Sequence, residues 1–170
     1  MAGVKVDIDL SILAALEGTS DLGTPSFRTV VRESLKFDPG TAATDEANVL
    51  FADTRTLTAS STEDLDLTGT LTNPLGATVT QAEIVAIFVK ARASNTNSVI
   101  LGNATANGFL GPLGGATHTL TLKPGEFVLL SSQTGWAVTA GTGDLLKVAN
   151  SAGSTSVVYD IVVIGRTVAA

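Results

Sequence analysis

From Asn48 onward the sequence repeats one pattern, in which a short segment rich in Val, Ile and Thr is followed by a cluster of Gly, Asn or Pro. Such segments are typical of β-strands, and the residues between them are typical of turns. Strands of this length and spacing favour an all-β fold, built as an antiparallel β-sandwich or a barrel. We predict eight strands, at Val49–Leu57, Glu63–Leu67, Ile84–Ala91, Ser98–Gly102, Thr117–Leu122, Phe127–Ser131, Leu145–Ala149 and Ser156–Ile164.

Two of these segments, Ile84–Ala91 and Ser156–Ile164, carry apolar residues at consecutive positions instead of alternate ones. Because successive side chains of a strand point to opposite sides, such a strand must be covered on both faces. We therefore predict that both strands lie in the middle of a sheet, in a two-sheet sandwich whose outer face meets a partner. The residues from Asn150 to Thr155 are predicted to form the turn of a hairpin that ends in the last strand.

The composition favours strands and also indicates an exposed apolar surface. Val, Ile and Thr supply 48 of the 170 residues, and these side chains favour strands. Charged residues make up 15% of the chain, against about 25% in ordinary soluble domains, and the mean hydropathy is +0.35. A chain of this size has room for one domain and a modest extension. A domain this small has a large surface for its volume, so its apolar residues are hard to bury within one chain. We expect part of the apolar surface to face another protein.

The first 50 residues are less regular, and we predict that they form an extended N-terminal arm, with the sandwich domain over residues 51–170. Val4–Leu10 alternates apolar and polar residues, which is the pattern of a half-buried strand. In Leu10–Gly18, apolar side chains three and four residues apart precede a glycine, and this spacing predicts a short helix of one or two turns.

The second half of the arm alternates again. One face of residues 26–37 is mostly apolar, and Arg28 and Arg32 lie on the other face. Asp38–Asn48 has the composition of a turn and linker. Segments this short cannot build a core alone, so they must pack on another surface. The mostly apolar face consists of Phe27, Thr29, Val31, Glu33, Leu35 and Phe37.

Several classes of function are disfavoured by what the chain lacks. The net charge of −6 and the pI of about 4.6 argue against nucleic-acid binding, which depends on basic patches. No apolar run approaches the roughly 20 residues of a membrane-spanning helix, and acidic residues interrupt the N-terminal segment where a signal peptide would be uninterrupted. His118 is the single histidine, and there is no cysteine, so a histidine-based nucleophile system or a zinc site would lack partners. We expect no enzyme activity, no cofactor and no small-molecule substrate.

A few residues could still take part in chemistry, although each has a simpler structural explanation. Two acidic pairs lie two residues apart on predicted strands, where they could share a cation. Alternating acids are, however, also typical of the solvated face of a strand. These pairs are Asp7 with Asp9 and Asp64 with Asp66; the other candidates are Gly141–Lys147, which lacks the Lys-Ser/Thr of a phosphate loop, the isolated Trp136 and Tyr159, and a sequon at Asn103.

Two long stretches resemble a known group of proteins. They are FADTRTLTASSTEDLDLTGTLTNPLGATVTQAEIVAIFVKA and LKPGEFVLLSSQTGWAVTAGTGDLLKVANSAGSTSVVYDIVVIGR. Both are similar to the capsid cement or decoration proteins encoded among the head genes of tailed bacteriophages. The resemblance covers Phe51–Arg166, and the first 50 residues carry little of it.

The resemblance implies a fold and a role. The fold would be a β-sandwich of jelly-roll type, and many copies would bind the outside of an icosahedral shell, often as homotrimers at local threefold positions. There they would clamp neighbouring subunits of the major capsid protein, on virions made in the host bacterial cytoplasm. A rigid body with an adaptable arm suits this role, because many weak contacts repeated around a symmetric site hold firmly.

In this interpretation the arm contacts the shell, and the apolar arm residues are the predicted protein interface. The alternative for these residues is that they are ordinary core residues of the same domain. A different function, a receptor- or glycan-binding knob of a phage spike or fibre, would use the loops Thr105–Gly115 and Gln133–Gly143. A tail or head-completion part is a third alternative. The predicted interface residues are Val4, Val6, Ile8, Leu13, Leu16, Phe27, Val31, Leu35 and Phe37.

Overall fold

A computed structural model of the protein describes residues 3–41 and 43–168, and all regular structure in these residues is β. The all-β prediction is confirmed. The strands form three sheets, in the orders β1-β2-β3, β5-β10-β7-β8 and β4-β11-β6-β9. Their bounds are β1 (Val6–Glu17), β2 (Ser26–Pro39), β3 (Glu46–Ala47), β4 (Val49–Leu57), β5 (Thr62–Asp66), β6 (Glu83–Ala91), β7 (Val99–Gly102), β8 (Thr119–Leu122), β9 (Phe127–Ala137), β10 (Leu145–Asn150) and β11 (Val157–Arg166).

One apolar core joins the two four-stranded sheets. Val148 on β10 and Leu101 on β7 belong to the same buried cluster as Ile161 on β11 and Ile87 on β6. β11 contributes every second residue to this cluster, from Val157 to Val163, as the two-residue period of a strand requires. These two sheets and their loops, residues 49–166, are called the two-sheet body below.

The predicted central strands lie where the sequence indicated. β11 pairs with β4 on one side and with β6 on the other, and β6 pairs in turn with β9. The prediction of a hairpin over Asn150–Thr155 is wrong, because β10 and β11 lie in different sheets. Side chains replace the missing partner strand there: the Asn150 amide donates to the carbonyl oxygens of Thr58 and Thr155, at 3.0 and 2.7 Å.

The prediction of a helix at Leu10–Gly18 is also wrong. β1 continues as a strand to Glu17 and pairs residue by residue with β2, from Val6 opposite Phe37 to Glu17 opposite Ser26. The helical spacing of the leucines competed with a two-residue alternation that continues from Val4–Leu10, and pairing with β2 favours the alternation. β1 and β2 therefore form one long hairpin, residues 6–39.

The base of this hairpin packs on the outside of the two-sheet body. Val6 and Phe37 are buried together with Val85, Ala86 and Ile164, on the face of the β4-β11-β6-β9 sheet that points away from the core. This face is called the outer face below. The packing of the hairpin base on this face explains why β6 and β11 are apolar on both sides, since one side contacts the core and the other contacts the hairpin base.

A buried ion pair fixes the loop that follows the hairpin. Arg166 is fully buried, and its Nε and Nη2 donate to Glu83 Oε2 at 3.0 and 2.6 Å. The same guanidinium donates from Nη1 to the carbonyl oxygen of Ala43, at 2.7 Å, and from Nη2 to that of Gln133. One side chain thus connects β11, β6, β9 and the segment between β2 and β3.

Candidate protein interface

The end of the hairpin away from its base is exposed on both faces. This part, residues 10–33, is called the distal hairpin. Every described residue from Asp9 to Ser34 is exposed to solvent. Rows of paired residues define the two faces, because residues directly opposite in an antiparallel pair point to the same side.

One side, called the apolar face, carries large hydrophobic side chains in paired rows. Leu16 lies opposite Phe27, and Ile12 lies opposite Val31. Leu16 and Phe27 are 72% and 67% exposed. Leu10 lies on the same side, next to the base that packs on the body. The apolar face is therefore a direct continuation of a surface that is already engaged in packing.

The other side, called the mixed face, combines two hydrophobic residues with two arginines. Leu13 lies directly opposite Val30, and they are 67% and 51% exposed. Arg28 and Arg32 flank Val30 at two-residue spacing and point to the same side. A solvated face would normally be polar at all of these positions, so exposed Leu13 and Val30 require explanation.

The tip and the edges of the distal hairpin are also open. Leu22 in the tip turn is fully exposed, and the turn is closed by backbone hydrogen bonds between Ser20 and Gly23. Within the described part of the chain, β1 pairs only with β2, and β2 pairs beyond β1 only at Asp38 and Pro39. Long unpaired strand edges are the sites at which proteins add strands from a partner.

The structure divides the predicted interface residues into two groups. Val6 and Phe37 are buried in their own chain, and Val4, Ile8 and Leu35 are partly buried against the same cluster. Leu13, Leu16, Phe27 and Val31 are exposed. The sequence interpretation missed Leu10, Ile12, Leu22 and Val30, although the uninterrupted alternation of Leu10, Ile12, Ala14 and Leu16 was a signal for the first two.

A second exposed apolar area lies on the outer face of the body, beside the hairpin base. Phe88 on β6 lies opposite Leu129 on β9, and the ring of Phe127 lies 5.9 Å from that of Phe88. Phe127 is 63% exposed and Leu129 is 37% exposed. Phe88, Phe127 and Leu129 are called the outer-face patch. Nothing in the sequence distinguished them from core residues.

A groove of about 470 Å³ separates the two apolar areas. Leu10 and Leu35 line it from the hairpin, and Leu129, Ser131 and Gln133 line it from β9. The groove marks the point at which the hairpin leaves the outer face. An apolar surface on each side of the groove is open to a partner.

Three of the candidates for chemistry, His118, Asp7 and Asp66, have structural partners. His118 Nδ1 lies 2.9 Å from the carbonyl oxygen of Leu113, and Asp7 forms an ion pair with Lys36. Asp66 accepts hydrogen bonds from the backbone and hydroxyl of Thr68. In residues 3–41 and 43–168 no group of three or more His, Asp or Glu side chains is arranged to hold a metal ion.

The aromatic candidates are not presented to solvent as a sugar-binding platform would require. Trp136 is partly buried against the core, and Tyr159 is fully buried. Tyr159 donates its hydroxyl to Glu63 Oε1 at 2.5 Å, and Arg55 donates to Glu63 Oε2 at 2.7 Å. This cluster ties β5 to β4 and β11, and therefore one sheet to the other.

The same contacts shift the ionisation of these groups. Burial, followed by the hydrogen bond to Glu63, raises the pKa of Tyr159 above its ordinary value, and the hydrogen bond to Glu63 raises the pKa of Arg55. On the outer face, hydrogen bonds from Arg92 and Thr54 lower the pKa of Asp160. Each shift follows from a contact that holds strands together.

No protein-family model, no curated protein and no solved structure matches the chain. The described residues also include no helix that is long and apolar enough to cross a membrane.

Proposed function

We propose that the protein is a structural component that decorates and stabilises a bacteriophage capsid, and that its distal hairpin binds across neighbouring protein subunits. The observation that carries this proposal is a hairpin that exposes large apolar side chains on both faces. The phage setting comes from the sequence resemblance over Phe51–Arg166. In this proposal the two sheets form a jelly-roll-like β-sandwich that serves as the rigid body, and the major capsid protein is the partner.

Exposure on both faces argues for a position between two neighbours. A flat partner would cover either the row of Leu16 and Phe27 or the pair of Leu13 and Val30, and it would leave the other in water. A crevice between two subunits covers both faces at once. This is the geometry that a clamp across a subunit boundary needs.

The magnitude of the exposed surface supports the same conclusion. The eight large apolar residues of the distal hairpin are together exposed to about the extent of five free side chains. Burying these would contribute roughly 7–15 kcal/mol, at about 1.5–3 kcal/mol for each side chain. Association costs on the order of 4–15 kcal/mol. Stable binding therefore requires most of both faces to be covered, or many copies bound on one lattice.

Co-sedimentation with purified expanded capsids tests this proposal. We expect the protein to pellet with the shells, and the Leu13→Asp variant to bind them at least about tenfold more weakly, as for a central interface residue. Leu75→Asp is the matched control, because Leu75 is 90% exposed on the Asn73–Gly76 turn of the body. Protection of the distal hairpin from protease in the bound form provides a second measurement.

The proposal would be abandoned if the protein did not bind shells at any concentration. It would also fail if Leu13→Asp and Leu75→Asp weakened binding equally, because the distal hairpin would then have no special part in it.

A further inference from the structure

The structure offers two unpartnered apolar surfaces on one chain, the apolar face of the distal hairpin and the outer-face patch. We infer that the apolar face of one copy lies on the outer-face patch of a second copy. This inference rests on the proposed function, since it assigns one of the two neighbours between which the distal hairpin is held.

The base of the hairpin already packs on the outer face within one chain. Val6 and Phe37, which lie on the same side of the hairpin as the apolar face, are buried there against Val85, Ala86 and Ile164. Leu10, Ile12, Leu16, Phe27 and Val31 continue the same face of the same hairpin. The contact proposed between copies is thus an extension of a contact that exists within each copy.

The outer face carries further apolar residues beside the hairpin base. The paired row of Ala86 and Ser131 lies next to the hairpin base, and the paired row of Phe88 and Leu129 follows it along the sheet. Phe127 belongs to the next row, opposite the exposed Lys90. The apolar surface therefore continues along β9 past the area that the hairpin base covers, and the groove begins there.

The distal hairpin and the outer-face patch are different surfaces, so each copy would both donate a hairpin and receive one. Two copies can exchange hairpins reciprocally about a twofold axis, or head-to-tail contacts can close into a ring when the rotation between copies allows it. The mixed face, with Leu13, Val30, Arg28 and Arg32, would then face outward from the contact, where the shell could bind it.

The residues concerned suit a direct test, because the chain contains no cysteine. Chains that carry Phe27→Cys are mixed with separately prepared, mass-tagged chains that carry Phe127→Cys, and a short bis-maleimide crosslinker is added. We expect a crosslinked product that contains one chain of each kind. Phe27→Cys mixed with Leu75→Cys is the control, because Leu75 is exposed outside the outer-face patch.

Light scattering provides the second measurement. We expect an oligomer for the unmodified chain, and at least a tenfold weaker association for both Phe27→Asp and Phe127→Asp. Both residues are more than 60% exposed, so these variants should keep their folded spectra. An oligomer that is lost in Phe27→Asp but unchanged in Phe127→Asp would overturn the inference, since the hairpin would then bind another surface.

The failures of the inference and of the proposed function are distinguishable. A chain that is monomeric at all concentrations but pellets with capsids overturns the inference and supports the proposed function. An oligomer that crosslinks as expected but ignores capsids supports the inference alone. Flotation of a monomer with phosphatidylglycerol vesicles, lost in Phe27→Asp, would overturn the inference by assigning the apolar face to a lipid surface.

Discussion

Leu13 and Val30 lie directly opposite each other on the mixed face of the hairpin, whereas Val31, the next residue after Val30, points to the apolar face. Substitutions at Leu13 and Val31 therefore probe opposite sides of one two-stranded ribbon. Both residues are exposed, at 67% and 45%. Replacing either residue with Asp should change the free energy of unfolding by less than about 1 kcal/mol.

The two substitutions should have different effects on assembly. We expect Leu13→Asp to weaken capsid binding at least about tenfold and to leave the mass of the free oligomer unchanged. Val31→Asp should weaken both capsid binding and the association between copies, because Val31 belongs to the face assigned to the second copy. Co-sedimentation and light scattering on the two variants check this difference. Equal effects on oligomer mass would show that the two faces do not have separate partners.

A second prediction concerns the buried ion pair between Arg166 and Glu83. Arg166→Met removes the cation and both hydrogen bonds to Glu83, and it also frees the carbonyl oxygen of Ala43. Breaking a buried pair in this way costs about 3–5 kcal/mol. Urea unfolding followed by the fluorescence of the single tryptophan, Trp136, measures this loss.

The matched control is Arg92→Met, which breaks an ion pair with Asp160 on the surface of the same sheet. Exposed pairs contribute about 0–1 kcal/mol, so this variant should be close to the parent. If Arg166→Met lowered the free energy of unfolding no more than Arg92→Met does, the buried ion pair between Arg166 and Glu83 would stabilise the fold no more than a surface pair.

The body of this fold could be predicted from the sequence because its strands are specified locally. The predicted strand Val49–Leu57 has the bounds that the structure shows, and six further strands agree within two residues at each end, whereas the strand predicted at Phe127–Ser131 continues to Ala137. Ile84–Ala91 and Ser156–Ile164 were also assigned correctly to the middle of a sheet. In each case the segment's own residues specify the strand, either by a two-residue period or by a run of apolar residues at consecutive positions.

The errors occurred where a distant partner decides the structure. Leu10–Gly18 has both helical and strand spacing, and only pairing with Ser26–Pro39 selects the strand. The segment after Asn150 resembles a hairpin turn locally, but Asn97 and Asn150 hold it with side-chain hydrogen bonds that span more than 50 residues. Arg166 gave no sign in the sequence that it is buried, because its partners lie far away along the chain.

The candidate site was predictable only in outline. The apolar residues of the first 50 positions were identified as an interface, but the sequence did not separate Val6 and Phe37, which are buried, from Leu16 and Phe27, which are exposed. That division depends on where the hairpin leaves the outer face of the body. The two-residue period of a strand shows which residues share a face. It does not show at which residue the strand stops packing on the body.

A third prediction concerns Gln81, whose side chain is buried. Gln81 is 1% exposed, and neither its Nε2 nor its Oε1 has a partner among the described residues. A buried polar group without a partner costs about 1–3 kcal/mol. Gln81→Met keeps the length of the side chain and removes both polar atoms, so we expect it to raise the free energy of unfolding by about 1–2 kcal/mol.

Urea unfolding measures this change, and Gln133→Met is the control, because Gln133 is exposed on β9 and should respond by less than about 0.5 kcal/mol. A loss of stability in Gln81→Met would contradict the prediction and would indicate that the amide is hydrogen-bonded in solution.

The last prediction uses Tyr159, the single tyrosine of the chain. Burial and the hydrogen bond to Glu63 raise its pKa above the ordinary value of 10.0. A group whose pKa is raised by folding stabilises the folded state fully below its unfolded pKa, and this contribution is lost as the pH rises above that value. We therefore expect the free energy of unfolding to fall above about pH 10. The absorbance of the phenolate should appear only together with unfolding.

Tyr159→Phe separates this effect from the general effect of alkali. Near pH 7 the variant should lose about 1–2 kcal/mol, because Glu63 keeps Arg55 but loses the hydroxyl donor. Between about pH 10 and 12 its stability should fall less steeply than that of the parent, since no phenol needs to ionise. Urea midpoints at several alkaline pH values check the slope. Ionisation of Tyr159 near pH 10 in the folded protein would show that the contact with Glu63 is open to solvent, and that it does not hold the two sheets together in the way described.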